Sequence, residues 1–170
     1  YADLETGLKD RASYVIRQNK LTFVLTTPLH SGNDIAAHID KYGDGVKAIA
    51  LKVNDATSAW VETTKRGGES YMDPIRLKDN NGEVVLSGIH TYGDTVHLFV
   101  ERGNYRGVFM TGFREWKTDY NPPGTGLLYI DHCVGNVGWN RMDPWVEFYE
   151  IVMGFRNILS FDDKDISTEY

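Results

Sequence analysis

The residues best placed to do chemistry lie in one stretch, Leu127-Leu128-Tyr129-Ile130-Asp131-His132-Cys133-Val134-Gly135-Asn136-Val137. Its apolar alternation predicts a strand, followed by a turn and a helix. Successive side chains of a strand point to opposite faces. Leu128, Ile130, His132, Val134 and Asn136 are therefore expected on one face, with a single imidazole among aliphatic neighbours. Such an imidazole is either a core histidine with a satisfied ring or a metal ligand through a neutral ring nitrogen. Spacing alone favours the core reading. Cys133, in mid-strand, reads as a small buried hydrophobe rather than a reactive thiol.

Other candidates are weaker. His90 and His97 fall on consecutive strands around a Gly93-Asp94 turn, close enough to share a metal. No HxxxH or CxxC spacing accompanies them, and a half-exposed pair on a sheet is the better reading. His30 and His38 are expected in solvent. Asp79, Glu83 and Asp94 read as turn carboxylates, not as a paired acid and base. Asp162, Asp163 and Asp165 lack the ligand spacing of a calcium-binding loop. Trp139 and Arg141 read as packing and surface groups, and no Ser/His/Asp set or phosphate-cradling glycine loop is visible.

The elements that must position these groups follow from local signals. Residues 12–18 and 21–27 predict a hairpin about Asn19-Lys20, stopped by Pro28. Asn33-Asp34 caps a helix to Tyr42, ended by Gly43-Asp44-Gly45. A strand over 46–53 leads into Asn54-Asp55, whose side chain can accept from the free first-turn N–H groups of a second helix. That helix shows Ala56, Ala59, Trp60 and Thr63 on one face and a Glu62/Arg66 pair on another, and Gly67-Gly68 ends it. Residues 70–77 are expected extended, with Pro74 marking an edge or break. Asp79-Asn80-Asn81-Gly82 is a turn signal before strands over 83–92 and 95–101. Residues 102–126 lack a clean period and read as a linker, partly packed through Phe109, Phe113 and Trp116. Asp143 is expected to cap a last helix with Pro144 at its first position and a Trp145, Phe148, Tyr149, Val152 stripe, stopped by Gly154. A strand is expected over 157–161, and Asp162-Asp163-Lys164 turns into a final run over 166–170.

Composition narrows the class. The 170 residues are 41% hydrophobic and 25% charged, values that exclude a disordered chain. The net charge of -6 argues against nucleic acid or an anionic membrane as partner. No apolar run is long enough to span a bilayer. The single cysteine allows no intrachain disulfide, which points to the cytoplasm. The chain opens on Tyr1 without a methionine and is expected to be an internal piece of something longer.

Two strand–helix units repeat. Aligning Asn54 with Asn136 sets Ala50 opposite His132. An imidazole that only filled space could be replaced by an aliphatic residue, as Ala50 does, and this asymmetry favours function. The expected fold is α+β: a mixed sheet built from β-α-β-β-β modules, with helices on the outer face and a concave face opposite, into which His132 would point. The expected domains are 1–101, a linker over 102–126, and the start of a second domain over 127–170.

The segment Tyr129-Ile130-Asp131-His132-Cys133-Val134-Gly135-Asn136 resembles the 4-hydroxyphenylpyruvate dioxygenase family of the vicinal oxygen chelate superfamily. Thr91-Tyr92-Gly93-Asp94-Thr95-Val96-His97, Trp145-Val146-Glu147-Phe148-Tyr149, Met153-Gly154-Phe155 and Ser160-Phe161-Asp162-Asp163-Lys164 continue it. The resemblance implies a cytoplasmic oxidoreductase of tyrosine and phenylalanine catabolism. It would convert 4-hydroxyphenylpyruvate and O2 to homogentisate and CO2, with Fe(II) held by two histidines and a glutamate. His132 matches the first histidine ligand, and the other two ligands are expected beyond Tyr170. Val134 and Asn136 follow it as candidates for the substrate-pocket wall. A chain carrying one ligand of three is expected to be inactive alone. Two alternatives stay open: a 4-hydroxymandelate synthase-type dioxygenase, and a non-catalytic small-ligand binding module of the same superfold. Strand edges left unpaired would recruit another copy, so a homo-oligomer is expected, with a dimer the simplest form.

Overall fold

The structure is a computed structural model and describes residues 1–159. Strands β1 (Arg11–Gln18) and β2 (Leu21–Pro28) form an antiparallel hairpin, joined to Ala2 by a bridge at Ser13. Asn19 takes a positive φ of 50° at the turn, a conformation asparagine tolerates better than most residues. Helix α1 (Asp34–Tyr42) starts where the sequence predicts it, with the Asn33 side chain accepting from the Ala36 N–H at 2.8 Å.

One complete β-α-β-β-β module follows. It comprises β3 (Ala48–Lys52), α2 (Ala56–Lys65), β4 (Ser70–Asp79), β5 (Gly82–His90) and β6 (Val96–Glu101). The sheet order is β3-β6-β5-β4, with β3 parallel to β6 and the other pairs antiparallel. The expected α+β class and mixed sheet are what the chain forms. Asp55 caps α2 through Ser58 N–H at 2.8 Å, and Asp79 Oδ1 accepts from Asn81 N–H at 2.7 Å to close the predicted turn. Two register shifts of β4 against β5 fall between Ser70 and Ile75, the stretch that contains Pro74. A proline cannot donate to a ladder, so the break falls where the chemistry requires it.

The core lies between α2 and the sheet. Ala56, Val85, Ile89 and Phe99 are buried there, with Leu51, Val53, Ala59 and Trp60 packed around them. Burying side chains the size of valine, isoleucine and phenylalanine contributes about 1.5–3 kcal/mol each. Two polar contacts fix the helix start against the strands: Ser87 Oγ donates to Ala56 O at 2.8 Å, and Glu101 Oε2 accepts from Ala56 N–H at 3.0 Å.

The last helix, α3 (Met142–Ile151), begins one residue before the predicted cap. Arg141 takes the N-cap position without a side-chain bond, and Asp143 sits inside the first turn, where a carboxylate still favours the helix dipole. The apolar stripe is used as expected: Val152, just past the helix, enters the core beside α2. Gly68 makes room for it, since a Cβ there would sit 2.9 Å from Thr63 O and 3.0 Å from Val152 Cγ1. Residues 157–159 form no ladder; the rest of the strand expected over 157–161, and the final run over 166–170, lie outside the described residues.

Candidate functional site

The stretch around His132 belongs to no strand or sheet. A strand needs a partner for its backbone N–H and C=O groups, and none of the six described strands takes that place. The apolar alternation is real, yet Leu128, Ile130 and Val134 are 61%, 49% and 79% exposed. Cys133 is exposed as well, not buried. Without a neighbouring strand or helix over either face, alternation alone buries nothing.

The stretch is held at both ends. On one side Lys20 N–H, in the β1–β2 turn, donates to Leu128 O at 2.9 Å. On the other, Gly135 lies against the ring of Tyr92, so closely that a Cβ at Gly135 would overlap the phenol oxygen. Tyr92 in turn meets Trp145 of α3 edge-on, with ring centroids 5.1 Å apart. Gly135, Val137, Tyr92, Met142, Trp145 and Phe155 line an open, mainly apolar groove of about 460 Å³ between this stretch and α3. His132, Val134 and Asn136 do not line it.

His132 itself is exposed, and its Nδ1 sits 2.6 Å from Asp131 Oδ2. A carboxylate on one ring nitrogen fixes the tautomer and makes the other nitrogen the better metal donor. That pairing suits one ligand of a metal centre. Among the described residues no group of three histidine, cysteine, aspartate or glutamate side chains converges to complete one.

The second histidine pair is separated by the sheet. Ile89 pairs with His97 and His90 with Val96, so the two imidazoles occupy opposite faces and cannot share a metal. His90 packs edge-on against Tyr71, with centroids 5.3 Å apart. His97 is 5% exposed, not half-exposed, because α3 covers it. Its Nε2 lies 2.9 Å from Tyr149 Oη, which also approaches Thr91 Oγ1 at 3.3 Å. Burial lowers the His97 pKa below the ordinary imidazole value, with the Ile49 backbone acting the other way. Burial also raises the Tyr149 pKa. The alternation of β6 locates His97 on its face, but its covering comes from a helix some fifty residues later, which no local signal reveals.

The turn carboxylate Asp94 organises a third cluster. It accepts from Lys41 Nζ at 2.7 Å and from the Tyr42 hydroxyl, while Lys47 Nζ donates to its carbonyl. These hydrogen bonds hold its carboxyl down at about 2. The cluster ties α1 to the β5–β6 turn.

The whole chain aligns at 41% identity with a 4-hydroxyphenylpyruvate dioxygenase of Aspergillus fumigatus, covering 47% of that protein. It aligns over its full length with those of Yarrowia lipolytica (38%, 45% of that protein) and Dictyostelium discoideum (41%, 48% of that protein). Along its whole length, the chain is a relative of the 4-hydroxyphenylpyruvate dioxygenases. It spans about half the length of the curated relatives it matches. No family model matches it. Among solved structures, a triple mutant of 4-hydroxymandelate synthase from Streptomyces coelicolor superposes with a TM-score of 0.69 over 90% of this chain and 43% of that one, at 23% identity. That likeness supports the fold. No helix among the described residues is long and apolar enough to cross a membrane.

Proposed function

We propose that this chain forms part of a non-haem Fe(II) dioxygenase that converts 4-hydroxyphenylpyruvate and O2 to homogentisate and CO2, in the cytoplasm. The observation that carries the reading is identity of 35–41% to proteins of that name over the entire chain. His132 is the proposed iron ligand from this chain, through the ring nitrogen not turned to Asp131. A second histidine and a glutamate would complete the three-residue face. Iron bound there would supply the redox chemistry with dioxygen. The chain's own part is to hold the imidazole in one tautomer, through Asp131, and to shape the wall beside it with Val134 and Asn136. We also propose the division into 1–101, 102–126 and 127–170, and assembly as a homo-oligomer.

Iron content and turnover of the intact protein test the ligand assignment, with His132→Ala beside the wild type. Loss of most bound iron is expected, with a fall in kcat larger than the roughly 10–100-fold that losing a ligand's outer hydrogen-bond partner costs. Undiminished iron and turnover in the variant would remove His132 from the site. Product analysis separates the two dioxygenase readings: homogentisate supports the proposed reaction, and 4-hydroxymandelate the synthase-type alternative. An intact protein that binds no iron and turns over neither product would leave the small-ligand binding module.

A further inference from the structure

The contact between α3 and the module's sheet contains a buried, ionisable group that the proposed chemistry does not use. His97 faces the α2 side of the sheet, beside Phe99 and Ile89. It meets α3 at one polar point, the Tyr149 hydroxyl. Its Nδ1 is buried and makes no aligned hydrogen bond. The elements packed about it bring few ionisable groups. β3 pairs Ile49 with it and β5 pairs Ile89. α2 presents Ala56, Ala59 and Trp60 to the shared core. α3 brings Tyr149, and the turn after β5 brings Thr91 and Tyr92. Of these only the phenols titrate, and they do so far above neutral pH. No carboxylate is among the groups acting on His97.

We propose that His97 is a proton-operated latch: neutral, it holds α3 on the sheet, and protonated, it releases α3. The neutral ring needs one partner at Nε2 and tolerates a bare Nδ1 lone pair. The cation carries two N–H donors; the Ile49 backbone favours it, but no acceptor is aligned with Nδ1 and burial outweighs that help. A buried charge without a counter-ion is costly. Opening α3 relieves that cost by returning the ring to water. The sign follows. Above the free imidazole value, about 6.5, both states are neutral and α3 stays docked. As pH falls through that value the open state takes up the proton first, and docking weakens until the buried ring is also protonated. Because the groove beside Gly135 is lined by α3 residues, release of α3 would open the wall next to the proposed ligand stretch.

Hydrogen exchange of the α3 amides in the intact protein, referred to intrinsic rates at each pH, tests the latch. Between about pH 7.5 and pH 5 the opening constant of α3 should rise roughly tenfold for each unit by which burial lowers the His97 pKa, while α2 changes far less. His97→Gln, whose amide can still pair with Tyr149, should keep α3 protected with little dependence on pH. The His97 ring resonances in the wild type give a reading independent of any variant and should titrate below the free value. Wild-type protection that ignores pH, an equal pH dependence in His97→Gln, or a ring titrating at or above the free value would each overturn the proposal. None of these readings depends on iron or turnover.

Discussion

At the scale of single residues, Gly135 and His132 carry different lessons. Gly135 occupies a place where any Cβ would collide with Tyr92. Gly135→Ala should therefore push the Tyr92 ring off Trp145 and destabilise by about 1–3 kcal/mol, the usual cost of overpacking. Urea unfolding measures this, and a Tyr92→Ala background should abolish most of the difference, because the collision partner is gone. The position of His132 is legible in the sequence as an imidazole out of keeping with its aliphatic neighbours. Its surroundings are not. Alternation says which residues share a face, but only a neighbouring strand or helix decides whether that face is covered. The exposed Cys133 has the same explanation: mid-strand placement implies burial only when both faces have neighbours.

At the scale of elements, the helix starts and turns are readable because they are local. Asn33 and Asp55 cap the helices they precede, and Asp79-Asn80-Asn81-Gly82 closes its turn within four residues. The start of α3 departs from its expected cap for a related reason: Pro144 tolerates several early positions, and no side-chain cap forms to fix the boundary. What no local signal gives is how α2 sits on the strands. Ser87 and Glu101 from two strands converge on the backbone of Ala56. Ser87→Ala should destabilise the module by about 1 kcal/mol, the net contribution of one hydrogen bond, with the fold kept. Denaturant midpoints at unchanged slope would show this, and a change in slope would mean that the helix has shifted rather than lost one bond. The Asp94 cluster works at the same scale by charge. Its hydrogen bonds hold the carboxyl down at about 2, so its contribution is complete above the ordinary carboxylate range and is lost progressively as pH falls from that range through about 2. Asp94→Asn should loosen α1 at neutral pH, seen as faster exchange of the α1 amides. The effect should shrink with added salt, because these groups lie in solvent.

At the scale of the whole molecule, the module is well packed while the hairpin is not. Tyr14, Ile16, Phe23 and Leu25 pair across β1 and β2 on one face and are 41–55% exposed. A contiguous apolar face of this kind favours association. Sedimentation velocity at micromolar concentration should show dimers or larger species. Phe23→Asp with Leu25→Asp should shift the chain toward monomer, and an unaltered monomer in the wild type would refute the expected oligomer. The order in which the module assembles follows from its sheet. β4, β5 and β6 are joined by tight turns and can pair as soon as they are made, within microseconds to milliseconds. β3 pairs in parallel with β6, across all of α2, β4 and β5. That closure carries the largest loop entropy of the module and must wait until α2 has docked. During synthesis β3 emerges before the rest of the module, so until Val96–Glu101 has left the ribosome the Ala48–Lys52 edge lacks its partner strand and is open to mispairing.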